Sequence, residues 1–276
     1  MAKTVYELQQ QRQLLLDRIA QHGEILIGSI STKAAIMKDG LLLGTKVIST
    51  GYNAERAGGK VFDAILGELS ITHKSIDRIV TTGYGRKSMT IADRAVTEIT
   101  CHAAGALYLN PSIRTIIDVG GQDSKAMSVD GNGVVMNFIM NDKCAAGTGR
   151  FLEVMARALE ADLDRFGEIS LRSDNPAKIS SLCTVFAESE VISLISKGEE
   201  RQNIIAGIHE SISARISAMM KRVGITPPVM MTGGVAKNIG VVRALEKMID
   251  TPIEVSSYAQ ENGAIGAALL AQKLAV

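Results

Sequence analysis

The chain has 276 residues, of which 46% are hydrophobic and 21% are charged, with a formal net charge of +1. This composition supports a packed core and excludes a largely disordered chain, while the near-neutral charge disfavours a nucleic-acid-binding surface. The longest apolar runs, such as residues 263–270, are shorter than the ~18–20 residues of a membrane span, and charged residues interrupt the N-terminal region where a signal peptide needs an apolar stretch. We expect a cytoplasmic protein of two domains that binds neither membranes nor nucleic acids.

Residues 4–21 are predicted to form an amphipathic helix, because strong helix formers surround apolar residues that share one face. The apolar residues are Val5, Leu8, Leu15 and Ile19. The helix is expected to end near Gly23 and to pack against the body of the protein or a partner subunit. Residues 1–23 are thus predicted to be an N-terminal helical extension.

A first lobe is predicted over residues 24–112, where strands alternate with tight turns and helices. Its strands are expected on either side of the Gly28-Ser29 turn within residues 24–37, and over residues 41–49 and 77–82. Its helices are expected over residues 57–69 and 91–107. This order favours a mixed sheet with helices packed on it.

The same order of elements begins again at Thr115, which favours a two-lobed molecule built from related units. Strands are expected on either side of a glycine turn within residues 116–127, and over residues 134–140 and 229–232. Helices are expected over residues 149–159, 187–197, 201–223 and 263–274. We assign residues 113–258 to the second lobe.

Two glycine turns are candidate phosphate-binding loops. Residues 118–123 lie between two predicted strands, where glycines allow the backbone to approach a phosphate and Asp118 can hold a divalent metal through water. Gly233 and Gly234 follow a predicted buried strand. Each motif is also compatible with an ordinary turn, but together they have the order expected for a nucleotide held between two lobes.

Three cysteines without close spacing argue against a secreted disulfide framework. Cys144 and Cys183 each lie among small residues just ahead of a predicted helix, where the helix N-terminus favours a thiolate or an anion. Two thiolates cannot complete the four-cysteine shell of a 4Fe-4S cluster, whereas a symmetric dimer would supply four. Each cysteine is also compatible with an inert buried residue, and Cys101, inside a predicted helix, is assigned that role.

Five motifs resemble those of the activator ATPases of 2-hydroxyacyl-CoA dehydratases and the related ATP-binding subunits of benzoyl-CoA reductases. They include Cys-Ala-Ala-Gly-Thr-Gly-Arg-Phe-Leu-Glu at residues 144–153 and Ile-Ile-Asp-Val-Gly-Gly-Gln-Asp-Ser-Lys at residues 116–125. The others lie at residues 82–86, 181–190 and 231–235. The resemblance extends from Ile25 to the C-terminus.

The resemblance implies an α/β fold of the actin/hexokinase/Hsp70 type, with two ribonuclease-H-like lobes, ATP in the cleft, and the C-terminal helix within residues 259–276 returning to the first lobe. It implies a homodimer, or a heterodimer with a related ATPase subunit, that shares one 4Fe-4S cluster ligated by Cys144 and Cys183. It also implies that reduced ferredoxin or flavodoxin supplies an electron, which ATP hydrolysis drives into an acyl-CoA dehydratase or reductase.

The same resemblance assigns roles to residues of the cleft. Asp118 and Gln122 are expected to be catalytic, with Asp118 also holding Mg²⁺. The residues expected to contact ATP or ADP are Gly28, Ser29, Lys33, Gly120, Gly121, Asp123, Gly147, Thr148, Gly149, Gly233, Gly234 and Asn238.

One position departs from the family pattern. The first phosphate loop of this fold usually carries Asp, one residue, then Gly, followed by Ser or Thr and a Lys. Gly28, Ser29 and Lys33 fit that pattern, but Leu26 stands at the position of the Asp. The chain then hydrolyses ATP weakly, as the quieter partner of a heterodimer, or relies on Asp118 alone for magnesium, or has an altered N-terminus. We favour the first of these explanations.

Two other functions stay open. A small-metabolite or sugar kinase shares this fold, although no distinct catalytic base for a sugar pocket stands out. A nucleotide-binding subunit without turnover would agree with Leu26. Phosphorylation of a metabolite panel and ATP hydrolysis would separate these functions from an electron-transfer activator.

Overall fold

The structure of the protein, a computed structural model, describes residues 21–180 and 183–274. The helix predicted over residues 4–21 lies outside this range except for its last residue. Its predicted end near Gly23 is wrong, because residues 21–27 form a strand that pairs with two neighbouring strands. Non-local hydrogen bonds at this position thus outweigh the local helical pattern.

The described residues form ten strands and eight α-helices. The strands are β1 (Gln21–Ile27), β2 (Ser31–Lys38), β3 (Leu41–Ser49), β4 (Ile76–Thr82), β5 (Arg94–Ala95), β6 (Thr115–Val119), β7 (Ser124–Val129), β8 (Val135–Asn141), β9 (Val229–Thr232) and β10 (Ile253–Glu254). The helices are α1 (Ala54–Leu69), α2 (Glu98–Leu109), α3 (Gly149–Ala158), α4 (Phe166–Ser170), α5 (Thr184–Ser196), α6 (Arg201–Val223), α7 (Ile239–Ile249) and α8 (Asn262–Gln272). Short 3-10 turns cover His73–Ser75, Leu163–Arg165 and Gly234–Lys237.

Two five-stranded sheets share one topology. The first has the order β3-β2-β1-β4-β5 and the second the order β8-β7-β6-β9-β10. In each sheet the first three strands of the chain pair antiparallel, and the last two add in parallel. The repeated order of elements predicted from the sequence is therefore confirmed as a repeated architecture.

Side chains of β1 alternate between two cores, as a strand requires. Ile25 and Ile27 pack against α1, whose apolar residues recur at helical spacing. Leu26 points to the opposite face and packs against Ala264 and Ile265 of α8. The C-terminal helix is thus buried on the first sheet, in agreement with its apolar composition.

Helices α2 and α8 cross closely because glycines remove side chains from the contact. A Cβ at Gly105 would lie 2.1 Å from the Asn262 carbonyl oxygen, and one at Gly266 would lie 1.8 Å from the Cys101 carbonyl oxygen. Helix α2 also contacts β6, β7 and β8, so it lies between the two sheets.

Two local predictions are corrected. The helix predicted over residues 91–107 begins only at Glu98, after the N-cap Thr97, because residues 94–95 pair with β4 as an extended strand. Helix α7 was not predicted, although its N-cap is visible in the sequence: Asn238 accepts hydrogen bonds from the backbone N–H groups of Gly240 and Val241. Among the described residues, no helix is long and apolar enough to cross a membrane.

Candidate functional site: a cleft between the two sheets

A cavity of about 630 Å³ lies between the two sheets. It is lined by the loops that follow β1, β4, β6 and β9, so the carboxyl ends of four strands face it, which is where open α/β sheets bind ligands. The predicted site residues that line it are Gly28, Ser29, Lys33, Asp118, Gly120, Gly121, Gln122, Asp123, Gly149, Gly233, Gly234 and Asn238.

Gly147 and Thr148 do not line this cavity. The Thr148 hydroxyl is fully buried and donates to the Ala145 carbonyl over 2.6 Å, while Gly147 adopts a φ of 93° and lies against the side chain of Arg215. Both residues shape the loop that carries Cys144, and direct contact of either with a nucleotide stays a prediction.

The glycine turn between β6 and β7 brings its backbone close to the first lobe. A Cβ at Gly121 would lie 2.4 Å from Cδ1 of Ile30, which belongs to the turn between β1 and β2. Gly233 has a φ of 88°, and a Cβ there would lie 2.3 Å from the Val119 carbonyl oxygen. Gly233 must therefore be glycine, because a side chain there would meet backbone, whereas a side chain at Gly121 would displace the side chain of Ile30.

Lys125 is a buried cation at the centre of three carboxylates. Its Nζ lies 2.7 Å from Asp123, 3.1 Å from Glu98 and 3.2 Å from Asp118. Burial alone would lower the pKa of Lys125, but Asp118, Glu98 and Asp123 raise it above its usual range. Burial raises the pKa of Asp123. Lys125 lowers this pKa and the nearby Glu98 and Asp118 raise it, and the net result is a raised value. Lys125 therefore stays protonated and holds the acidic cluster together.

Asp118 is the ionised carboxylate at the floor of the cleft. Oδ2 of Asp118 is the atom that pairs with Lys125. Oδ1 accepts a hydrogen bond from the Thr232 hydroxyl at 3.1 Å and lies 3.4 Å from Nδ1 of His102. Burial would raise the pKa of Asp118, yet His102 and Lys125, with hydrogen bonds from Lys125 and Thr232, lower it to about 2. Asp118 thus has the charge needed to hold the water shell of a divalent cation.

Sequence reasoning did not identify Lys125, Glu98 or His102 as site residues. His102 lines the cleft, and burial lowers its pKa. One signal for Lys125 was available: it faces Asp118 across the β6–β7 hairpin, where opposite charges on one face form a pair.

The first phosphate loop lacks a carboxylate at Leu26, whose side chain is only 4% exposed and lines the cleft. Leu26 pairs with Lys33 across β1 and β2. The Lys33 ammonium donates to the Ser31 carbonyl over 3.2 Å, and burial lowers its pKa. An apolar side chain, Leu26, therefore lies beside the Lys33 ammonium at the wall of the cavity.

The Cys144 loop begins at the end of β8 and is held by Asn141. The Asn141 amide donates to the Cys144 carbonyl over 2.9 Å and accepts from the Cys144 N–H over 3.3 Å. Cys144 is half-buried, whereas Cys183 is exposed at the N-cap of α5. Helices α3 and α5, which follow the two cysteines, pack against each other. Cys101 is buried within α2.

Two backbone hydrogen bonds join the Cys144 loop to the cleft. The N–H of Gly149 donates to the Gly120 carbonyl, and the N–H of Arg150 donates to the Gly121 carbonyl, both over 2.8 Å. The first turn of α3 therefore rests directly on the glycine turn of the phosphate loop.

Two related sheets with a cavity between them form the two-lobed α/β fold of the actin/hexokinase/Hsp70 type. The chain belongs to the BadF/BadG/BcrA/BcrD ATPase family, whose sequence profile matches residues 25–271. This confirms the family and the fold indicated by the sequence motifs.

Three known proteins illustrate the relationship. The activator of lactoyl-CoA dehydratase from Anaerotignum propionicum is 48% identical over 253 residues, which cover 90% of this chain and 96% of the activator's length. The structure of the activator of 2-hydroxyisocaproyl-CoA dehydratase from Clostridium difficile with bound ADPNP superposes with a TM-score of 0.88 at 45% identity, covering 92% of this chain and 94% of the other. A ROK family glucokinase from Streptomyces griseus has a TM-score of 0.55 at 13% identity, covering 92% of this chain and all of the other, which is a likeness of fold alone.

Proposed function

We propose that the protein is an ATP-dependent activator that passes low-potential electrons to a 2-hydroxyacyl-CoA dehydratase. The observation that carries this proposal is the pair of hydrogen bonds from Gly149 and Arg150 to the phosphate loop, because they connect a nucleotide cleft to a cysteine loop. Two relatives named as dehydratase activators, similar over nine-tenths of the chain, support the same function.

The cleft has the groups that a magnesium nucleotide needs. Gly120, Gly121 and Gly234 expose backbone where phosphates would approach, and Lys33 adds a cation on the side of the first lobe. Asp118 is ionised and suits the water shell of Mg²⁺. Gln122 is exposed at the cleft, where its amide can orient a water molecule for attack on the terminal phosphate.

The cysteines fit a shared cluster. Cys144 is half-buried and Cys183 is exposed, and each lies just ahead of one of two helices that pack together. Two thiolates per chain suit a dimer with one 4Fe-4S cluster at its two-fold axis. When bound, the cluster supplies a one-electron carrier, and reduced ferredoxin or flavodoxin would reduce it.

The coupling follows from the shared backbone contacts. If a nucleotide pulls Gly120 and Gly121 toward its phosphates, the hydrogen-bonded start of α3 must move with them. The Cys144 loop immediately precedes α3, so its position and solvent exposure change too. Exposure and hydrogen bonding at the ligand are the quantities through which a protein sets a reduction potential.

A second candidate is a nucleotide-binding subunit with slow hydrolysis. Leu26 favours it, because the apolar side chain removes one of two carboxylates expected around the metal. In that case the protein would pair with a related ATPase subunit that turns over.

Anaerobic purification and iron analysis test the proposal. We expect a brown protein with about four irons per dimer, and ATP-dependent activation of a 2-hydroxyacyl-CoA dehydratase when reduced ferredoxin is supplied. Iron-free protein after anaerobic reconstitution would contradict it. Tight ATP binding without phosphate release would favour the second candidate, and activation of a benzoyl-CoA reductase alone would redirect the assignment of the acceptor.

A further inference from the structure

Arg215 lies directly beneath the Cys144 loop. This residue belongs to α6, is half-buried, and places its Nη1 3.8 Å from Sγ of Cys144 in hydrogen-bonding geometry. Its side chain also lies beside the turn that follows Cys144, because a Cβ on Gly147 would lie 3.4 Å from Cδ of Arg215. The arginine thus contacts both the sulfur and the turn that follows it.

Cys144 and Cys183 differ in their burial and in the hydrogen bonds of their side chains. Cys183 is exposed, and its side chain makes no capping hydrogen bond at the start of α5. Cys144 is half-buried, packs against the core of the second lobe and accepts an N–H from a cation. Of the two predicted cluster ligands, Cys144 is the one that accepts a hydrogen bond from a charged donor within the described part of the chain.

We infer that Arg215 is a positioning residue that holds Cys144 and raises the reduction potential of the cluster bound there; this rests on the proposed function. An N–H donated to a ligand sulfur, and a positive charge beside it, stabilise the state with more negative charge. The reduced cluster is more negative than the oxidised one, so Arg215 favours reduction. In a symmetric dimer the contact occurs twice.

The variants Arg215→Met and Arg215→Gln separate the charge and the hydrogen bond. Arg215→Met removes both, while Arg215→Gln keeps an N–H donor without the charge. Arg222→Met is the matched control, since Arg222 is exposed in the last turn of the same helix. The midpoint potential would be measured by redox titration followed through the EPR signal of the reduced cluster, with iron content determined on each sample.

We expect Arg215→Met to lower the reduced-to-oxidised ratio at a given potential at least tenfold, which is a shift of about 59 mV for one electron. Arg215→Gln should shift in the same direction by less, and Arg222→Met should match the unsubstituted protein. Release of iron to a chelator should also be faster in Arg215→Met. This second measurement tests the support of the loop independently of the potential.

The outcomes that overturn the inference are distinct from those that overturn the proposed function. Unchanged potentials and iron-release rates at full iron content overturn the role of Arg215 alone. If Arg215→Met does not retain iron, an unchanged potential in Arg215→Gln overturns the effect of the charge. Absence of iron from the unsubstituted protein overturns the proposed function and this inference with it.

Discussion

Gly149 donates its backbone N–H to the carbonyl of Gly120 over 2.8 Å, so main-chain atoms link the helix that follows Cys144 to the phosphate loop. Main-chain contacts of this kind transmit displacement without requiring a side chain to reorient. A Cβ at Gly149 would lie 3.1 Å from the Gly120 carbonyl oxygen and 3.4 Å from Cα of Gly121. The contact therefore has little room for any side chain.

Gly149→Ala should weaken the coupling between the cleft and the cysteine loop. The added methyl group pushes the loops apart by a few tenths of an ångström, and we expect ATP-dependent electron delivery to fall severalfold while iron content is retained. The measurement is dehydratase activation at saturating ATP. Gly67→Ala is the control, because a Cβ there meets nothing within 4 Å; equal activation by both variants would contradict the prediction.

Leu26→Asp should raise ATP turnover severalfold, because it places a carboxylate next to Lys33 at the position where the fold usually carries one. Leu26→Asn is the control, since it matches the size and the polarity of the change without the charge. Phosphate release by the anaerobic protein is the measurement. An unchanged rate in Leu26→Asp with an intact cluster would show that Asp118 is sufficient.

Lys125→Met should destabilise the protein by about 3–5 kcal/mol, because it leaves buried carboxylates without their cation. Urea unfolding measures the loss. Millimolar Mg²⁺ should then raise the stability of Lys125→Met more than that of the unsubstituted protein, since a metal ion can replace the missing charge. The exposed Lys60→Met serves as control; a loss of the same size there would refute the role of Lys125.

His209 should make the protein sensitive to mild acid. Burial lowers the pKa of His209 to about 3, from an ordinary value of 6.5, and its ring contacts Asn238 and Phe166. Between these values the unfolded chain binds a proton that the folded chain does not. His209 alone should therefore lower the free energy of unfolding by about 1.4 kcal/mol for each pH unit from ~6.5 down to about 3, and it should add no pH dependence above ~6.5.

The variant His209→Gln tests this pH dependence. It should flatten the slope of unfolding free energy between pH 4.5 and 6.5, measured by urea titration at several pH values, even if it lowers stability overall. His73→Gln is the matched control, because His73 is exposed. An unaltered slope in His209→Gln would assign the acid sensitivity to other groups.

Many elements of the second lobe were predictable, because their signals are local. Helix α6 and strand β9 have the predicted bounds, as does β3 in the first lobe. Helical periodicity and glycine turns mark such segments within a few residues. The start of α2 was not predictable in this way, since residues 94–95 are extended only because β4 lies beside them.

The charged centre of the cleft was also only partly predictable from local sequence signals. Asp118 stood out because a glycine turn follows it, but Glu98 comes from a helix of the predicted first lobe and Lys125 from a strand of the predicted second lobe. Asp118 and Lys125 face each other across one hairpin, but no pattern along the chain joins Glu98 to them. Glu98 reaches Lys125 only when α2 packs against the second sheet.

The sequence by itself determined the family, the repeated order of elements, the glycine turns and the two cysteine motifs, since each depends on residues close together in the chain. Only the tertiary structure decided that Gly149 and Arg150 bond to the phosphate loop, that Arg215 reaches Cys144, and that Glu98 joins the ion pairs of Lys125. These contacts join residues from different elements, and their distances follow from how the helices and sheets pack.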